Sequence, residues 1–152
     1  MKKVFSIFLV ASVLLVVLTG CGKQETLDMS LEDIITKVYE GFGEDELPSL
    51  ANTEITKDNM AYYLGVDTID FKEGLASEPI MSSIAHSVVV LRVADGVDIE
   101  KAKQEIRDNV NPAKWLCVEA EKVIVDNNDD VIILIMASND TADKILNNFK
   151  NL

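Results

Sequence analysis

The sequence predicts an α+β domain in which an antiparallel four-stranded sheet carries helices on one face. Three observations lead there. Leu31, Ile34, Ile35, Val38, Tyr39 and Phe42 recur at helical spacing. Two apolar runs, Ala85 to Ala94 and Val131 to Ala137, have the length and β-branched content of buried strands. Each run is followed by a segment of period 3.6, with inward positions at Ile99, Ala102, Ile106 and Val110 after the first and Ala142, Ile145, Leu146 and Phe149 after the second.

Taken in order, the first helix begins at Ser30, whose hydroxyl is placed to cap it, with Glu32 and Asp33 at the positive end of its dipole. It is expected to stop at Gly41 or Gly43. Glu44 to Thr56 reads as an acidic loop containing Pro48. Thr56 then opens a short second helix with Met60, Tyr63 and Leu64 inward and Gly65 as its stop. Phe71 to Glu78 is the first expected strand, ended by Pro79, and Ala85 to Ala94 is the second. Asp98 caps a helix reaching about Val110, and Pro112 follows its end. Lys122 to Val125 and Val131 to Ala137 are the last two strands, around a turn at Asp126 to Asp130. A final helix is expected from Thr141 to Lys150. Val88 to Ala94 with the helix after it superposes on Val131 to Ala137 with its own helix at a constant offset of 43 residues. The fold is thus expected to hold two β-β-α units preceded by N-terminal helices.

Composition narrows the function classes. The 152 residues are 48% hydrophobic, which is too apolar for a disordered acidic tail. Two cysteines cannot make a disulfide scaffold. With 26 Asp and Glu against 14 Lys and Arg, phosphate binding has no clustered cations to work with, so nucleic acid is excluded as a partner.

The first 21 residues read MKKVFSIFLVASVLLVVLTGC. Lys2 and Lys3 precede a 15-residue apolar run, Val4 to Leu18, interrupted only by Ser6 and Ser12. As a helix that run reaches roughly 22 Å, short of the ~30 Å hydrocarbon core, so it reads as the h-region of a signal peptide. Leu18-Thr19-Gly20-Cys21 resembles the lipobox of bacterial lipoproteins. The resemblance implies that the Cys21 thiol takes a diacylglyceryl group through a thioether and that a signal peptidase cuts between Gly20 and Cys21. The expected organisation is therefore a signal peptide over 1–20, an acylated Cys21 with a short linker over 21–29, and one α+β domain over 30–152. Cleavage leaves 12 bases against 26 acids, a net charge of −14. Such a chain is repelled by anionic headgroups, so acyl chains must do the holding.

The order of elements resembles a group of small lipoproteins of Gram-positive bacteria that carry a domain of unknown function. That resemblance implies the outer face of the cytoplasmic membrane as the location. It implies no reaction, and no site residue beyond Cys21.

Candidate chemistry is sparse. His86, the only histidine, is the one position through which a triad or a zinc site could pass, and it reads as a satisfied or surface histidine. Cys117 lies among apolar neighbours and reads as a buried thiol of raised pKa. Asp126-Asn127-Asn128-Asp129-Asp130 places oxygens at alternate positions, but Val131 and Ala137 stand where a calcium loop needs Gly and Glu, so it reads as a solvated hairpin. Glu44-Asp45-Glu46 reads as a solvated loop. Asp67 and Asp70 are conceivable as a paired acid and base. Gly41-Phe42-Gly43 lacks the third glycine of a dinucleotide loop and reads as a helix stop. Tyr39, Tyr62, Tyr63 and Trp115 fit a ligand groove or core packing equally well. No catalytic residue, cofactor or metal ligand is assigned. The leading expectation is a lipid-anchored extracytoplasmic module that binds an envelope protein or small ligand; the alternative is a carboxylate-dependent hydrolase or transferase acting on envelope substrates.

Overall fold

The computed structural model describes residues 25–152. Cys21 and the signal peptide expected over 1–20 lie outside the described residues. The elements run α1 (Leu31–Val38), β1 (Leu50–Glu54), α2 (Met60–Leu64), β2 (Phe71–Pro79), β3 (Ser87–Val93), α3 (Ile99–Asn109), β4 (Lys122–Asn128), β5 (Val131–Ala137) and α4 (Asn139–Lys150). The class is α+β, as the sequence predicts. The sheet has five strands rather than four, in the order β1-β2-β3-β5-β4, and every neighbouring pair is antiparallel. The added strand is β1, inside the segment read as an acidic loop. Its backbone pairs with β2 from Leu50↔Pro79 to Glu54↔Leu75, while Ala51, Asn52, Thr53 and Glu54 all face solvent.

Local chemistry sets the helix ends. Ser30 Oγ accepts from Asp33 N at 3.1 Å, so the hydroxyl satisfies one of the unpaired donors of α1. This helix stops at Val38, before Gly41, which turns the chain at φ +76°. In α3 the Asp98 carboxylate takes the same part, accepting from Lys101 N at 3.1 Å. Gly65 ends α2 at φ +75°, and a Cβ there would stand 2.3 Å from the Asn109 carbonyl oxygen, so the position needs glycine for both conformation and space. The β4–β5 hairpin is tighter than expected. Asp126, Asn127 and Asn128 belong to β4, Asn128 pairs with Val131, and only Asp129 and Asp130 form the turn.

The expectation of helices on one face is corrected: both faces are covered. Alternate residues of β5 point to opposite sides, with Val131, Ile133, Ile135 and Ala137 in one cluster and Ile132, Leu134 and Met136 in the other. Leu31, Ile34, Ile35 and Val38 of α1 join Ala142, Ile145 and Phe149 of α4 in the first cluster. Met60 and Leu64 of α2 join Ala102 and Ile106 of α3 in the second. β3 and β5 occupy the middle of the sheet and are buried on both sides, which is why their sequences run continuously apolar.

This arrangement also limits the 43-residue offset. Residues of β3 and β5 related by it face the same cluster, but α3 and α4 pack on opposite faces. β3 and β4 are parallel with β5 between them, so α3 serves as a crossover helix, whereas α4 follows the last strand and covers the other side. The two β-β-α units match in order of elements but are not equivalent in space.

Candidate functional site

The two ends of the sheet differ in chemistry. At the end where β3 finishes, Arg92 reaches out with every guanidinium nitrogen engaged. Its Nε donates to Glu73 Oε1 at 2.7 Å, Nη1 to the Leu27 carbonyl and to Asp130 Oδ1 at 2.9 Å each, and Nη2 to the Met29 carbonyl at 2.5 Å. Asp130, 1% exposed, also accepts from Leu27 N at 3.0 Å. Residues 27–29 are thereby strapped across this end by a guanidinium and a carboxylate that also neutralise each other. The reading of the 126–130 turn as solvated is thus corrected at Asp130, which is buried and clamps the strap.

A cleft of about 700 Å³ lies beside the strap, with Asp28, Asp33 and Asp130 among its walls. Its charges are largely engaged already. Arg92 and Asp130 hold the strap, Lys72 pairs with Asp95 at 2.7 Å, Lys37 pairs with Glu40 at 2.6 Å, and Asp33 accepts from Ser30 Oγ at 2.9 Å.

At the opposite end, where β2 finishes and β3 begins, the chemistry is apolar around one sequestered charge. Lys114 follows α3, and its side chain is only 5% exposed. Its ammonium donates to Glu78 Oε1 at 2.5 Å and lies 4.8, 5.0 and 5.5 Å from the ring centres of Tyr62, Tyr63 and Trp115. Ser87 Oγ donates to the same Glu78 oxygen at 2.6 Å. Burial pulls the Lys114 pKa below the usual lysine value, against the Glu78 carboxylate, which favours the ammonium. Three aromatic faces and one carboxylate thus replace water around the charge. The effect is to staple the segment 111–121 to the end of β2 and to α2.

That staple presents an apolar surface. Leu116 N donates to the Ser82 carbonyl at 2.9 Å, joining the segment to the β2–β3 loop. Ile80, Met81 and Leu116 are 71%, 62% and 68% exposed, and Tyr62, whose ring contacts Lys114, is 57% exposed. Of the five exposed large hydrophobic side chains among the described residues, four lie at this end, and the fifth is Val123 on edge strand β4.

The candidates read from sequence are dispersed. His86 is 4% exposed, and its Nε2 lies 2.8 Å from the Tyr39 hydroxyl, on the α1 face of the sheet. Burial pushes its pKa down to about 4. Cys117 is corrected: it is exposed, because its backbone turns at φ +60° and directs it outward beside Leu116. Asp126 is bound to Lys150 at 2.8 Å, and Asp70 to Lys57 at 3.2 Å in open solvent, where Asp67 also lies. Glu46 accepts from Gly43 N at 2.5 Å and pairs with Lys144, leaving Glu44 and Asp45 exposed. Of the four aromatics, Tyr62, Tyr63 and Trp115 meet around Lys114, while Tyr39 packs with His86 and Phe42 instead. Among the described residues no group of three or more His, Cys, Asp or Glu is arranged to hold a metal, and no helix is long and apolar enough to cross a membrane.

The His86 environment carries a pH prediction. The unfolded chain takes up its proton near pH 6.5, but the folded chain does so only near pH 4. Stability from this group is therefore complete above pH 6.5 and falls as the pH drops to 4, by about 3 kcal/mol in all. Urea unfolding at pH 7 and pH 4.5 is expected to show a smaller loss for His86→Gln than for the parent chain. Equal losses would remove His86 from the acid response.

No protein-family model matches the chain, and no curated protein and no solved structure matches it either.

Proposed function

We propose that this chain is a lipid-anchored interaction module on the outer face of the cytoplasmic membrane, held through acylated Cys21 and offering the end formed by Tyr62, Ile80, Met81 and Leu116 to a partner. One observation carries the reading: the exposed apolar surface and the pinned N-terminal strap occupy opposite ends of the sheet. From Ser87 to Arg92, β3 alone separates the two by about 17 Å. Cys21 precedes Leu27 by six residues, which extend to about 20 Å at most. An anchor at Cys21 therefore attaches to the domain at the strap end, the end of the sheet remote from the apolar surface. Large apolar side chains exposed at the end remote from the attachment point fit a protein contact.

Cys21→Ala is the test of the anchor. The variant is expected to leave the membrane fraction almost completely, or to accumulate as uncut precursor, and to lose incorporation of labelled palmitate. A variant still labelled and processed like the parent chain would overturn the reading.

A further inference from the structure

The chemistry around the apolar end narrows what it accepts. Three of its lysines are already neutralised: Lys114 by Glu78, Lys144 by Glu46 at 3.4 Å, and Lys122 by Asp143 at 2.6 Å. The nearby acids are less fully matched. Glu44 and Asp45 lie four to five residues before Ser49, whose carbonyl accepts from Ile80 N at 3.1 Å, and Glu119 lies three residues after Leu116. All three are exposed and make no ion pair among the described residues. The segments that carry the apolar surface, or bond to it through Ser49, therefore also carry uncompensated negative charge.

We propose that this end docks a segment of another envelope protein in which an apolar stripe is flanked by lysine or arginine. The proposal takes its envelope setting from the reading above, while its charge argument stands on the domain alone. Two other occupants are disfavoured by the same charges. An anionic bilayer would be repelled by these exposed acids, and the anchor attaches through the strap at the opposite end. A second copy would bring another acid-rich surface against the first, with a net charge of −14 on each mature chain. A basic partner gains from both features, since its side chains bury Leu116 and Ile80 while its cations meet Glu44, Asp45 and Glu119.

The test uses the full chain in its own cells. A photoreactive phenylalanine analogue is placed at Leu116, with a control at exposed Thr36 on α1. Irradiation is expected to give a protein adduct from position 116 and none from 36, and the crosslinked peptide is expected to carry apolar residues beside at least two Lys or Arg. Its yield is expected to fall about fivefold when Glu44, Asp45 and Glu119 are each replaced by lysine, with thermal stability unchanged because all three are exposed. Adducts with lipid, with a second copy of the chain or with an acidic or uncharged peptide would overturn the proposal, as would the absence of any adduct. Fractionating the same cells keeps the two readings apart. An adduct formed by a chain that is not membrane-bound sinks the anchor alone, and a membrane-bound chain without an adduct sinks the docking alone.

Discussion

Val90→Asp is expected to abolish folding. Val90 is 0% exposed in the middle of β3, pairs with Leu75 on one side and Ile133 on the other, and points into the cluster formed with α1 and α4. Neither neighbour offers a hydrogen bond or a countercharge to a carboxylate there. The buried group must either stay charged at a cost of several kcal/mol or take up a proton and still lack partners. Either cost is comparable with the 5–15 kcal/mol that holds a domain of this size together. Circular dichroism is expected to show no cooperative transition. Val90→Thr, which keeps the shape and buries only a hydroxyl, is expected to fold with a loss of about 1–3 kcal/mol. Val123→Asp, on edge strand β4 at a position 38% exposed, is expected to cost less than about 1 kcal/mol. A Val90→Asp chain melting like the parent would show that β3 does not lie between two covered faces.

How this core was legible in the sequence, and where it was not, has physical reasons. The runs around β3 and β5 were readable because a strand buried on both faces has no polar alternation. The same fact argues against helices on one face only, since a sheet open on one side would need polar residues at every second position of these strands. β1 was unreadable because LANTE has no apolar pattern: its place is set by backbone pairing with β2, not by anything its side chains bury. The apolar end was hidden for another reason. Tyr62, Glu78 and Lys114 lie far apart in sequence, and no spacing rule joins them. Cys117 was misplaced because apolar neighbours normally mark a buried segment. Here Trp115 and Val118 pack inward, while Leu116 and Cys117 between them face out.

Arg92→Ala is the second change expected to have a large effect, and it separates stability from attachment of the strap. The alanine removes four hydrogen bonds and leaves Asp130 buried with only the Leu27 amide to hold its charge. Breaking one side of a buried pair costs about 3–5 kcal/mol, mostly because the remaining charge is uncompensated. Removing both charges together, as Arg92→Met with Asp130→Leu, replaces the pair by apolar volume and is expected to recover most of that loss. The strap is not expected to recover with it. The Leu27 and Met29 carbonyls lose Arg92 in both variants, and the Leu27 amide loses Asp130 in the double variant as well. Hydrogen exchange at the Leu27 amide is therefore expected to be fast in the double variant and slow in the parent chain, while urea unfolding shows only the single variant to be weak. Slow exchange at Leu27 in the stable double variant would mean that contacts other than this ion pair hold the strap. Fast exchange together with restored stability would establish Arg92 and Asp130 as a fastening for the N-terminal segment, one that the core itself does not need.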